Sequence, residues 1–70
     1  SREGRMTAGT NGCAGLVGEE EERYNLIGDV LGLELGARVI ARGTLADPSA
    51  CGDGKDVTIR ITNIRRGIGG

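Results

Sequence analysis

A strict two-residue alternation near the end of the chain constrains its fold more than any other feature. Across residues 57–62, the apolar side chains Val57, Ile59 and Ile61 alternate with three polar ones, and β-branched residues dominate. Successive side chains of a strand point to opposite faces, so this period predicts a β-strand with one buried face.

A second alternating segment covers residues 37–45 and predicts another half-buried strand. The face expected to be buried carries Ala37, Val39, Ala41, Gly43 and Leu45. The opposite face carries Arg38, Ile40, Arg42 and Thr44. Small residues on the buried face, Ala41 and Gly43, are typical of a tight barrel or a sharply coiled strand.

The remaining elements are shorter. The pair Asn11-Gly12 favours a two-residue turn, which predicts a hairpin formed by residues 4–10 and 13–18. We expect a strand over residues 23–27; a helix over 19–27 ended by Gly28 is the alternative, because Glu favours helices. Period-two leucines predict a short strand or an extended crossing segment over residues 30–36, and turn residues predict a loop over 46–55.

The chain supports one small domain, residues 1–70, with a thin core. It has 70 residues, 14 of them Gly, no Trp or Phe, and a single aromatic residue, Tyr24. Aliphatic side chains must therefore fill the interior, among them Leu16, Leu26, Leu31, Leu33, Leu35 and Leu45. Several short strands in so short a chain predict an all-β, closed or nearly closed barrel, and a domain of this size often needs a staple or a partner.

The two cysteines, Cys13 and Cys51, are the only ones in the chain. Their separation fits neither a redox C-x-x-C motif nor half a zinc site. We therefore expect an intramolecular disulfide, which implies an oxidising compartment; a reactive thiol is the alternative, but no His is present to activate one.

Several of these segments together resemble a known family. They are Cys13-x-x-Leu16, Tyr24-x-Leu26, the run Leu-Gly-Ala-Arg-Val-x-x-Arg-Gly-Thr-Leu at 35–45, Cys51, and Val-x-x-x-Ile-x-Asn-Ile at 57–64. This pattern, over residues 4–65, resembles a family of small bacterial exported domains of unknown function with an OB-like β-barrel. The resemblance implies a barrel of five to six strands with a Cys13–Cys51 disulfide, and it implies no activity.

The sequence contains few residues that could serve as catalytic groups. The chain has no His, its one Lys is Lys55, and its carboxylates lie in polar or turn-like stretches. The spacing of Asp47, Asp53 and Asp56 does not match a calcium loop, and the glycines near Cys13 do not form a phosphate loop. We therefore predict no catalytic residues, no metal site and no cofactor, and hence a protein that is not an enzyme.

The charge layout suggests self-assembly. The formal net charge is −1, which gives no general attraction to nucleic acid or anionic membranes, and no apolar run is long enough to span a bilayer. Both ends are basic, whereas one internal segment is acidic. The residues concerned are Arg2, Arg5, Arg65 and Arg66 at the ends and Glu19, Glu20, Glu21 and Glu22 between them. We expect the terminal segments 1–5 and 65–70 to engage neighbouring copies, giving a structural subunit of an extracellular fibre or other homo-oligomer.

A monomeric binding module of the cell envelope is the alternative function. Arg38, Arg42 and Arg60 are expected on one outer face, where they could hold a glycan, a peptide or an oligonucleotide. The shortage of aromatic residues argues against nucleic acid, because single strands stack on aromatic rings. A first residue of Ser rather than Met, together with the expected disulfide, suggests a secreted chain whose signal peptide has been removed.

Overall fold

Five strands form a closed barrel in the computed structural model, which describes residues 1–9, 12–30, 32–51 and 56–67. The elements are β1 (Arg2–Thr7), β2 (Ala14–Gly18), β3 (Arg23–Ile27), β4 (Arg38–Ala46), a 3₁₀ helix (Pro48–Cys51) and β5 (Val57–Arg66). Around the barrel the strands follow the order β1-β2-β3-β5-β4, and β4 closes it against β1. All pairs are antiparallel except β3–β5, which is parallel. The prediction of an all-β, OB-like barrel is confirmed, with five strands.

The core fills the barrel with aliphatic side chains from all five strands. Its buried members include Met6, Leu16, Leu26, Val39, Ala41, Ile59 and Ile64. Tyr24 and Leu33 are partly buried against this cluster. The inward faces of the first half of β4 and of β5 are the faces that the alternation predicted, except that Val57 at the start of β5 is 46% exposed rather than buried.

The segment 23–27 is a strand, as expected, rather than the end of a helix. It pairs with β2 on one side and with β5 on the other. The preceding glutamates form a tight turn, closed by the Gly18 N–H that donates to the Glu22 carbonyl at 2.8 Å. Ladder pairing on both sides outweighs the helical preference of the glutamates, which is only a fraction of a kcal/mol per residue.

A bulge in β5 keeps its apolar residues on one face. Asn63 lies opposite Arg42, whereas Ile61 lies opposite Gly43, so Thr62 is an extra residue in β5. This extra residue shifts the alternation by one, and Ile64 therefore points into the core with Ile59. The three-residue step from Ile61 to Ile64 in the sequence is the signature of this bulge.

The segment 30–36 is neither a strand nor extended in its described part, so this prediction is wrong. The Leu33 N–H donates to the Val30 carbonyl and the Ala37 N–H to the Glu34 carbonyl, both at 3.1 Å, which makes two consecutive turns. Gly32 and Gly36 have φ angles of 68° and 86°, in the left-handed region that glycine adopts without strain. Because glycines separate the leucines, the segment turns, and Leu35 is exposed at the tip of the second turn.

The second half of β4 also departs from its prediction. Gly43 and Leu45 were expected in the core, yet both are exposed, Leu45 by 79%. The reason is the start of β1, where Arg2 lies opposite Ala41. Beyond this point β4 continues past the barrel wall, paired only with β5 among the described strands.

The disulfide between Cys13 and Cys51 is confirmed, with a Cα–Cα distance of 5.9 Å. It is compatible with an oxidising environment outside the cytosol. No helix in the described ranges is long and apolar enough to cross a membrane. Parts of several predictions lie outside the described residues, namely Asn11 of the hairpin turn, Leu31, Asp53 and Lys55 of the loop, and positions 68–70 of the tail.

Candidate interaction surfaces

An open pocket of about 210 Å³ with both polar and apolar walls lies where β4 passes the start of β1. We call it the barrel opening, and its walls are formed by Ser1, Arg2, Ala41, Gly43, Thr44, Leu45, Val57 and Ile59. Leu45 lies opposite Ile59 in the ladder, so both side chains are on the inner face. Ile59 is buried, but Val57 is 46% exposed, so apolar side chains reach solvent at the rim.

The same region contains an unpaired strand edge. The Arg38 carbonyl accepts from the Gly67 N–H beyond β5, whereas the Ala37 carbonyl accepts from the Met6 N–H of β1. Backbone groups alternate sides along a strand. The N–H and C=O of Gly43 and Leu45 therefore point away from β5, toward the side where β1 has already ended. In the part of the chain that the structure describes, no strand pairs with them.

Arg2 lies at the rim of the barrel opening, on the inward-facing side of β1. Its guanidinium carbon is 5.6 Å from the centroid of the Tyr24 ring, within the range of a cation–π contact. This contact holds a positive charge at the rim of the opening. A partner that enters the opening would therefore meet this cation as well as the apolar side chains of Leu45, Val57 and Ile59.

The acidic segment forms the turn between β2 and β3, and we call residues 19–22 the acidic turn. The Glu20 N–H donates to Glu22 Oε1 at 2.9 Å, and Glu21 has a φ of 63°, which is uncommon for a residue other than glycine. All four glutamates are exposed. Gly18 lies opposite Gly4, so the acidic turn follows β2 at the end of the barrel where β1 begins.

The basic residues of the two ends lie in different places. Arg5 lines a shallow recess together with Glu19 of the acidic turn. Arg65 is exposed opposite Ile40 of β4. Arg66 Nη2 is 3.9 Å from Glu34 Oε1, in the turn that carries Leu35. Arg66 is thus associated with the Leu35 turn, whereas Arg2 and the acidic turn lie at the other end of β1.

The structure brings together two of the three arginines expected on one outer face. Arg60 lies opposite Thr44, which is two residues from Arg42 on the same face, so Arg42 and Arg60 are diagonal neighbours. The Arg38 side chain is instead engaged in two ion pairs, because its Nη1 lies 3.6 Å from Glu3 Oε2 and 3.5 Å from Glu19 Oε1. A basic strip of Arg42 and Arg60 remains on the outer side of β4 and β5.

The disulfide fixes the 3₁₀ helix over the outer face of β3 and β5. Cys51 in this helix is fully buried, and Asn25 and Thr58 beneath it are buried polar residues. The Asn25 Nδ2 donates to the Thr58 Oγ1 at 3.5 Å, and the Thr58 hydroxyl donates to the Asp56 carbonyl at 3.2 Å. In OB-like barrels the loops after β1 and after β4 border the usual ligand face. Here the disulfide joins these two loops and covers part of that face.

One carboxyl group in the described residues has a clearly shifted pKa. The Asp47 carboxylate accepts hydrogen bonds from the backbone N–H of Ser49 at 3.0 Å and from its hydroxyl at 2.8 Å. These bonds stabilise the charged form and lower the pKa of Asp47. Asp47 thus serves as the cap of the 3₁₀ helix. Within the described ranges, no group of three or more His, Cys, Asp or Glu residues lies together to hold a metal ion.

The sequence pattern did not predict the barrel opening, although it indicated Arg2 as an interface residue. The opening exists because β4 is nine residues long and β1 six, so the longer strand extends beyond its partner. The alternation over residues 37–45 indicates the length of β4 but not where β1 begins. Only the register between the two strands shows that Leu45 lies outside the core.

Comparisons of the chain with protein-family models, with curated proteins and with solved structures give no match.

Proposed function

We propose that this protein is a non-enzymatic structural subunit that assembles with copies of itself outside the cell, in a fibre or another homo-oligomer. The observation that carries the proposal is the edge of β4 at Gly43 and Leu45, which no described strand pairs, with the exposed side chains of Leu45 and Val57 beside it. Strand edges with free backbone groups are ready partners for another chain, and proteins normally cover or charge them. At this edge of β4 the exposed side chain is Leu45, which is apolar rather than charged.

The charge distribution supports the same proposal. The acidic turn lies at the end where β1 begins, whereas Arg66 lies beside the Leu35 turn. Glu19 already contacts Arg38 of its own chain, so we expect the other glutamates of the acidic turn to meet the basic C-terminal residues of the next copy in a stack. Charge complementarity of this kind steers association and sets the orientation of the partners.

The size of the domain gives a further reason for assembly. A chain of this length buries about 60% of the surface of its unfolded form, so its stability from burial alone is small. The disulfide offsets part of this deficit, and it is compatible with an extracellular or envelope location. Contacts between copies would add buried apolar surface that the isolated barrel lacks.

Sedimentation of the purified, oxidised chain over a range of concentrations tests the proposal. We expect the mean mass to rise with concentration and the association to weaken at high salt. Replacing Glu19, Glu20, Glu21 and Glu22 with Gln should reduce both the association and its salt dependence. A monomer of 7.2 kDa at every concentration would contradict self-assembly and would leave the strip of Arg42 and Arg60 as a ligand site of a monomeric binding module.

A further inference from the structure

One exposed leucine lies at the far end of β1 from the barrel opening. Leu35 is 69% exposed at the tip of the turn that the Ala37 N–H closes by donating to the Glu34 carbonyl. The turn is fixed to β1, because the Gly36 N–H donates to the Met6 carbonyl at 2.8 Å and the Met6 N–H donates to the Ala37 carbonyl at 2.9 Å. Met6 follows Arg2 along β1 by about 14 Å at the usual rise of a strand.

The barrel opening has room for this side chain. It measures about 210 Å³, and Leu45, Val57 and Ile59 form the apolar part of its walls. Leu45 and Val57 at its rim are partly in water and would be covered by a bound leucine. Apolar surface is therefore exposed on both sides of the contact, and burying it favours association.

The charges beside the two surfaces are complementary. Glu34 precedes Leu35 and is exposed, whereas Arg2 lies on the rim of the opening. Among the described residues, Glu34 forms an ion pair with Arg66 at 3.9 Å, and an exposed ion pair of this kind contributes little. Glu34 can therefore exchange this partner for the Arg2 of a neighbouring copy at small cost.

We propose that Leu35 of one copy binds in the barrel opening of the next. This proposal rests on the self-assembly proposed above. The leucine and the opening lie at opposite ends of β1 in the same chain, so one copy uses a different surface at each of its two joints. Such a heterologous contact repeats from copy to copy and produces either a ring or a filament.

Two charge substitutions test this joint, one on each side of it. Leu35→Asp removes the inserted side chain and leaves the opening intact, whereas Leu45→Asp alters the opening and leaves Leu35 intact. Both residues are largely exposed, so the fold should persist, as retention of the disulfide and of the thermal transition would verify. Asn63→Asp is the matched control, because it adds the same charge at an exposed position of β5 that does not line the opening.

We expect each leucine variant alone to associate at least about tenfold more weakly than the wild type, and the control to associate normally. An equimolar mixture of the two variants should form a 1:1 heterodimer and nothing larger. Each mixed pair has one intact joint, made by Leu35 of the Leu45→Asp chain and the opening of the Leu35→Asp chain. Sedimentation equilibrium and native mass spectrometry would detect this species.

Other results would overturn the inference in distinguishable ways. Full association of Leu35→Asp would place the joint elsewhere while leaving self-assembly intact. Loss of association in Leu45→Asp without heterodimer formation in the mixture would mean that two openings face each other. A wild-type chain that stays monomeric would refute the proposed function itself, and the joint with it.

Discussion

At the scale of single residues, Asp47 shows how one side chain organises a short element. Its carboxylate accepts two hydrogen bonds from Ser49 and so begins the 3₁₀ helix that carries Cys51. The same bonds lower the pKa of Asp47, the backbone bond more than the hydroxyl bond. A carboxyl group whose pKa is lower in the folded state stabilises the fold above its unfolded pKa. This contribution disappears as the pH falls through the folded pKa.

We predict that Ser49→Ala moves the pKa of Asp47 part of the way back toward its usual value. The substitution removes the hydroxyl donor at 2.8 Å and keeps the backbone donor at 3.0 Å, so the recovery is incomplete. Carbon-detected NMR titration of the carboxyl group would measure the shift in both proteins. An identical pKa in the two would show that the hydroxyl bond does not form in solution.

Individual residues differ in how far the sequence predicts their environment. Val39 and Ile59 were correctly predicted as buried, because each lies within a regular alternation that pairs on both sides. Leu35 and Leu45 have the same chemistry and a similar local pattern, yet both are exposed. Their exposure depends on a turn and on the starting point of another strand, which are not local properties.

At the scale of elements, β4 and β5 form the longest ladder of the barrel, and Gly43 is its most restricted position. A side chain at Gly43 would overlap the carbonyl group of Arg60, next to the bulge that Thr62 creates. The two backbones therefore approach closely at Gly43, next to a bulge of the kind that increases the local twist of a strand.

We predict that Gly43→Ala destabilises the fold by about 1–3 kcal/mol, the usual cost of forcing extra atoms into a packed site. Thr44→Ala, at the adjacent exposed position, is the control and should change the stability by less than about 0.5 kcal/mol. Urea denaturation of both variants at a low protein concentration would compare them with the wild type. Equal stabilities for the two variants would mean that the ladder relaxes freely around Gly43.

The elements were predictable to different degrees from the sequence. The bounds of β3 and nearly those of β4 followed from periodicity, and the bulge in β5 is visible as a three-residue step between isoleucines. The turns between Val30 and Ala37 were missed, because period-two leucines predict a strand unless the glycines adopt positive φ angles. The sequence predicted Arg2 as a residue of the candidate joint, but it did not predict the exposure of Leu35 or Leu45.

At the scale of the whole molecule, the disulfide connects parts of the chain that no single hairpin brings together. Cys13 precedes β2 and Cys51 ends the 3₁₀ helix, 38 residues later. In the chain-entropy account, a cross-link of this span stabilises a domain by about 4 kcal/mol, because it restricts the unfolded chain. This is a large part of the 5–15 kcal/mol of total stability that is typical of a folded domain.

We predict that the double variant Cys13→Ala, Cys51→Ala loses about 2–5 kcal/mol of stability and is largely unfolded at 37 °C. Circular dichroism during urea and thermal denaturation would measure the loss. The wild type with a reductant provides the control, since it breaks the same bond without changing any residue. A double variant as stable as the oxidised wild type would show that the barrel does not depend on the cross-link.

The parallel pairing of β3 with β5 has a consequence for the speed of folding. Asn25 and Thr58 meet although they are 33 positions apart in the chain, and long-range pairings of this kind slow folding, because the closure of a long loop precedes any gain from contacts. The bond between Cys13 and Cys51 shortens that search, since it already holds the two regions together. A chain that is oxidised early is therefore expected to complete its barrel sooner, and to expose its strand edges to wrong partners for a shorter time.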